Sequence, residues 1–150
     1  MTEGILPDRE IQALHEAGRI VSSRPLDDDQ MQPASLDLRL GARAHRVRAS
    51  FLPGRQRSVE EALNRFSLHV VDLSEGAVLE TGCVYIVPLM ERLSLPPEVR
   101  AAANPKSSTG RLDIFTRVIT DRAQEFDKVP AGYEGQLYFC LLYTSDAADE

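Results

Sequence analysis

The sequence predicts a mainly-β fold, a sandwich or barrel of short strands with two short helices. Three observations point there. Apolar and polar residues alternate strictly in ASLDLRL (34–40). Similar segments recur at roughly ten-residue spacing, divided by Gly and Pro turns rather than by long helical stretches. Only two segments show helical periodicity.

The elements can be justified in order. Pro7-Asp8 opens the first helix with Asp8 read as its N-cap, Ile11, Leu14 and Ala17 share one face, and Gly18 closes it. In 34–40, Ala34, Leu36, Leu38 and Leu40 form one face of a strand and Ser35, Asp37 and Arg39 the other. HRVRA (45–49) follows across Gly41. Ser58 and Glu61 make a capping box for the second helix, with Val59, Leu63 and Phe66 at helical spacing. Further strands are read at LHVVDL (68–73), CVYIVPL (83–89), EVRAAAN (98–104), IFTRVIT (114–120) and GQLYFCLLYT (135–144).

A chain of 150 residues with 43% hydrophobic content is long enough for one domain with its own core. The net charge of −6 argues against general nucleic-acid affinity. One region opposes that average: from Arg39 to Arg57 there are six arginines and no acid. It reads as a solvated face, or as a contact for an anion or a neighbouring subunit. Cys83 and Cys140 have no CxxC spacing and form no framework, which suits a reducing compartment, the cytoplasm. The N-terminus lacks a secretory pattern, and CVYIVPLM (83–90) is too short to span a bilayer, so no membrane is expected.

Several chemistries lack their residues. His15, His45 and His69 lie far apart, and none forms the H-x-E with P-C-x-x-C of a zinc nucleobase deaminase, so no zinc is expected. There is no G-x-S-x-G and no G-x-G-x-x-G. A Walker loop fails on order, because Lys106 precedes the hydroxyls and Gly110 trails them. What remains is NPKSSTGRLD (104–113), which sets Lys106, Ser107, Ser108, Thr109 and Arg111 between Pro105 and Gly110. Such a turn offers hydroxyl and N–H donors with two cations, a composition suited to phosphate. It equally suits an ordinary Ser/Thr turn with solvated cations.

NPKSSTGRLDIFTRVITD (104–121), QPASLDLRLG (32–41), AGYEGQLY (131–138) and the opening GILPDREIQAL (4–14) together resemble the deoxycytidine triphosphate deaminase family of the dUTPase-like superfamily. The similarity is closest to a long bacterial form holding two such domains, of which residues 1–138 would be the incomplete first. It implies a distorted jelly-roll-like β-barrel of the dUTPase type, here truncated, assembled as a homotrimer or pseudo-trimer with sites between subunits. The implied reaction is hydrolytic deamination of dCTP to dUTP and ammonia, with dUMP as the product in some members. Magnesium enters on the substrate triphosphate. By the same resemblance Lys106, Ser107 and Ser108 contact the triphosphate and the catalytic water. Arg111 orients that water, and Thr120 reads the base edge through its backbone, with Arg122 following. Asp127 meets the sugar and Tyr133, in Gly132-Tyr133-Glu134-Gly135, packs near sugar or base.

The family's catalytic glutamate falls at Cys140, which is the main departure. CLLYTSDAADE (140–150) resembles the translation of a transposase-based sequencing adapter, with Phe139 at the junction. Residues 139–150 are therefore expected to be a non-native read-through tail. The chain as written is expected not to deaminate dCTP, and to aggregate through unpaired edges. The alternatives are a dUTP diphosphatase and a non-catalytic nucleotide-binding barrel.

Overall fold

The computed structural model of the chain describes residues 4–104 and 114–143. Its elements are α1 (Asp8–Glu16), β1 (Ile20–Ser22), β2 (Met31–Gln32), β3 (Ser35–Leu36), β4 (Arg43–Val47), α2 (Val59–Phe66), β5 (Ser67–Asp72), β6 (Val84–Ser94), β7 (Ala101–Ala102), β8 (Ile114–Thr120), β9 (Lys128–Val129) and β10 (Glu134–Tyr143). The mainly-β class with two short helices holds.

One antiparallel sheet organises the molecule, in the order β5-β4-β6-β10-β8, with β1 added to β6. β6 is its axis. β10 runs along one edge of it, from Glu134 opposite Ser94 to Leu142 opposite Val84. The other edge is shared, by β4 at Val84–Ile86 and by β1 at Glu91–Leu93. The gap between β4 and β1 is closed by the segment 39–41. Gly41 N–H donates to Pro88 O (2.8 Å) and Met90 N–H donates to Arg39 O (2.9 Å). A side chain at Gly41 would collide with the Pro88 carbonyl, so only glycine fits there.

Several sequence expectations are corrected. Residues 34–40 form no continuous strand: only Ser35–Leu36 pairs, with β2. The chain then turns so that Arg39 reaches Glu91, and Leu40 bridges Leu89. β6 extends well beyond the expected end at Leu89, and β1, β2 and β9 come from segments to which the sequence reading assigns no strand. Pro7, not Asp8, is the N-cap of α1 and makes no side-chain cap; the Asp8 carboxylate accepts from Arg9 N–H (2.8 Å). The C-terminus behaves as expected. Gly18 has φ +77°, and Arg19 N–H returns to Leu14 O (2.8 Å). The Ser58 cap of α2 also forms, with Ser58 Oγ accepting from Glu61 N–H (3.1 Å) and the Ser58 hydroxyl lying 3.3 Å from the Glu61 carboxylate. Among the described residues the sheet stays open rather than closing into a barrel, because its outer strands β5 and β8 do not meet.

Strand alternation gives the sheet two faces. On one, Val47, Ile86, Ile119, Tyr138 and Cys140 pack with Val59 and Leu63 of α2. On the other, Leu93, Val118 and Leu137 pack with Ile11 of α1, Ile20 and Val129. This second face carries an open trough of about 3140 Å³. Phe66, Leu68 and Val70 remain exposed at the β5 edge, and Phe115 at β8.

Glu91 is wholly buried yet ionisable. Its carboxylate accepts from Arg39 N–H (2.7 Å) and Arg39 Nε (2.9 Å), with Ser22 Oγ and Gln30 Nε2 each at 3.4 Å. Arg39 also donates to Arg24 O and Pro25 O, both at 3.0 Å. Arg39→Met would strand a buried charge, an effect of about 3–5 kcal/mol. The urea midpoint should fall steeply in Arg39→Met and recover in part in Arg39→Met/Glu91→Leu.

Candidate functional site

Lys106, Ser107, Ser108 and Arg111 lie outside the described residues. The described part of the expected site is the turn that follows β8, the Gly132–Gly135 turn, Asp127 and position 140.

The Gly132–Gly135 turn acts as a latch. Gly132 has φ +74°, a conformation that favours glycine, and sends Tyr133 inward. The Tyr133 hydroxyl accepts from Asp121 N–H (3.0 Å) and donates to Gln136 O (2.6 Å). At Gly135, φ +154°, a Cβ would stand 2.9 Å from the Tyr133 hydroxyl and 3.2 Å from Asp121 Oδ2. The glycine-aromatic-x-glycine pattern thus has a local cause: the second glycine leaves room for the phenol to reach the end of β8. Burial, first of all, pushes the Tyr133 phenol up to about 12, so at neutral pH it stays protonated and able to donate.

The turn after β8 is tied down from several sides. Arg122 takes φ +58° and Ala123 N–H returns to Thr120 O (3.3 Å). The segment leading into α2 lies against it: Arg122 N–H donates to Arg57 O (2.8 Å), and Gly54 N–H donates to Ala123 O (3.1 Å). Asp121 Oδ1 accepts from Val59 N–H (2.8 Å), the first residue of α2. Thr120 is buried, and its hydroxyl has no hydrogen-bond partner among the described residues.

Asp127 is fully engaged inside the chain. Its φ is +64°, Oδ1 accepts from Val118 N–H (2.8 Å), and Oδ2 pairs with Arg117 Nη1 (2.8 Å). Arg117 in turn lies over the Phe126 ring, 5.8 Å from its centroid. Tyr133 likewise spends its hydroxyl on backbone atoms, and its ring belongs to the core beside α1.

Cys140 is buried and stands directly opposite Arg117 in the β10–β8 register. Burial pushes its thiol up to about 11, against a smaller lowering by Arg117. A protonated thiol in this position is neither a base nor a strong nucleophile at neutral pH. Thr120 opposes Leu137 in the same register. Positions 137 and 140 are an odd number of residues apart, so Thr120 and Cys140 project from opposite faces of the sheet.

Of the expected site residues, the structure brings Thr120, Arg122 and Tyr133 to one corner and leaves Asp127 and position 140 along β8 and β10. Sequence reasoning missed Asp121 and Gln136, which join that corner together. The only signal for Asp121 was an acid placed immediately after the strand read over 114–120. Nothing in the sequence marked Gln136.

The family model described as 2'-deoxycytidine 5'-triphosphate deaminase (DCD) N-terminal domain matches residues 2–146. The chain belongs to this family. It is similar to a protein of Natronomonas pharaonis named dCTP deaminase, 32% identical over 139 residues, covering 89% of this chain and 66% of that protein. It is similar to a Mycolicibacterium gilvum protein named dCTP deaminase, dUMP-forming, 35% identical over 115 residues, covering 75% of this chain and 58% of that protein. Among solved structures, the 2'-deoxycytidine 5'-triphosphate deaminase of Agrobacterium tumefaciens superposes with a TM-score of 0.93 and 63% identity, over 97% of this chain and 43% of that one. The chain thus spans less than two thirds of the length of each of these relatives.

An unfolded tyrosine ionises near 10 and the folded Tyr133 at about 12, so the stability linked to it is complete below pH 10 and is lost as pH rises toward 12. Thermal melts should hold level from pH 7 to about 8 and fall above about 9, first as the buried Cys140 thiol and then as Tyr133 lose their linked stability. Tyr133→Phe, which leaves Asp121 N–H and Gln136 O without the hydroxyl, should cost about 1–3 kcal/mol at pH 7 in urea titration.

Proposed function

We propose that the chain is the N-terminal part of an enzyme that hydrolyses the 4-amino group of dCTP, giving dUTP and ammonia. One observation carries this: a family match over 2–146 coincides with a 0.93 TM-score and 63% identity to a solved dCTP deaminase. Names alone would leave the fold open, and the fold alone would not choose a chemistry.

In this reading the substrate is Mg·dCTP, with the metal held by the triphosphate. Lys106, Ser107 and Ser108 grip the phosphates, and Arg111 orients the water that attacks C4. Preorganised cationic and hydroxyl donors of this kind stabilise the charge that develops at the ring. The triphosphate, remote from C4, supplies the binding energy that holds the base in place. The backbone at Thr120 and Arg122 faces the base edge. Asp127 meets the sugar and Tyr133 packs near sugar or base, each also holding its own loop through bonds within the chain. The assembly is a homotrimer or pseudo-trimer in the cytoplasm.

The reaction needs a group that takes the proton of water and returns it to the ring and the leaving amine, worth roughly 10²–10⁴-fold in rate. Position 140 is where the family glutamate falls, and a thiol pushed up to about 11 does not serve. Residues 139–150 are read as a non-native tail that replaces this glutamate. Resequencing the source locus tests it: an unbroken genomic frame encoding 139–150 would refute the reading.

A second product has specific support. Some curated relatives, including those of Mycolicibacterium gilvum and Parafrankia, are named dUMP-forming. Titration calorimetry with Mg·dCTP and Mg·dUTP, run beside an ammonia assay, distinguishes the readings. The expected result is a preference for dCTP with no ammonia released by the chain carrying Cys140. Ammonia release would remove position 140 from the chemistry. Preference for dUTP with pyrophosphate release would move the assignment to a diphosphatase.

A further inference from the structure

We propose that Asp121 is a positioning residue: through the first N–H of α2 it fixes the 120–123 turn in the geometry that reads the pyrimidine base. The inference rests on the reading of Thr120 and Arg122 as the base-facing backbone. Four hydrogen bonds converge on Asp121 and its two successors. Asp121 N–H goes to the Tyr133 hydroxyl (3.0 Å), Val59 N–H to Asp121 Oδ1 (2.8 Å), Arg122 N–H to Arg57 O (2.8 Å), and Gly54 N–H to Ala123 O (3.1 Å).

The turn needs such support. Arg122 sits at φ +58°, which a non-glycine side chain holds only when its surroundings enforce it. Three of the four bonds run between backbone atoms or through Tyr133. Among these four bonds the Asp121 carboxylate is the side chain that reaches a helix, and it does so by satisfying an N–H of the first turn that has no partner inside the helix. α2 is itself anchored on the sheet by Val59, Ala62 and Leu63, all buried. Val59 and Leu63 also pack in the cluster that holds Ala123 and Cys140. One helix therefore sets both the turn and the packing around position 140, and the Arg55–Arg57 segment that precedes it is the strap between them.

The experiment measures dissociation constants of the full 150-residue chain for Mg·dCTP and for inorganic triphosphate, which has no base. Asp121→Ala should weaken Mg·dCTP by about tenfold or more, the effect of losing one charge-assisted hydrogen bond. Inorganic triphosphate should stay within about twofold, because it does not meet the turn. Asp121→Asn keeps an acceptor for Val59 N–H and should restore dCTP binding to within about threefold. Equal losses for both ligands, or no loss for either, would overturn the inference, as would failure of Asp121→Asn to rescue. A parent chain that binds triphosphate and dCTP equally would overturn it too while leaving the phosphate assignments standing. A parent chain that binds neither would overturn the proposed function itself.

Discussion

The structure depends on a carboxylate placed where no water reaches it. Glu91 lies near one end of the central strand β6, and four groups from three other segments converge on it. A buried charge is tolerated only when it is paired and hydrogen-bonded, and here Arg39 supplies both a guanidinium and a backbone N–H. The constraint works outward. To reach Glu91, the chain after β3 gives up its strand, crosses the gap between β1 and β4, and presses Gly41 against Pro88. The edge of β6 is complete only because this polar junction fills its middle.

That junction also explains where the sequence could be read and where it could not. The alternation in 34–40 is real, but it records an amphipathic crossing rather than a strand, and the decisive contact, Arg39 to Glu91, spans a separation that periodicity cannot see. The strand read over 83–89 already contains Pro88, which lacks an N–H and rarely enters a central strand. The structure accommodates it at the point where β4 has stopped and β1 has not begun, so the missing donor is not needed there. The local signals were dependable: the Ser58 cap, Gly18 at the end of α1, β8, and β10 all depend on neighbours in sequence. β1, β2 and β9 are two or three residues long and exist only through their partners, so no local pattern announces them.

The site divides in the same way. The Gly-Tyr-x-Gly pattern was legible, and its physical cause is now visible in the clearance that Gly135 leaves for the Tyr133 hydroxyl. Asp127 and Tyr133, which the resemblance places at the nucleotide, also hold their own loops: Tyr133 bonds backbone at both ends, and Asp127 bonds the Val118 N–H and the Arg117 guanidinium.

The division of the sheet into two faces has a stereochemical consequence. Thr120 and residue 140 sit on neighbouring strands but point away from one another, one toward the trough and α1, the other toward α2. A small molecule resting against residue 140 therefore encounters Thr120 only as peptide, never as hydroxyl. What Thr120 offers at that spot is its amide and carbonyl, whose arrangement survives any exchange of the threonine side chain that preserves the turn, while the side chains available there are those of the face that residue 140 occupies, Arg117 among them.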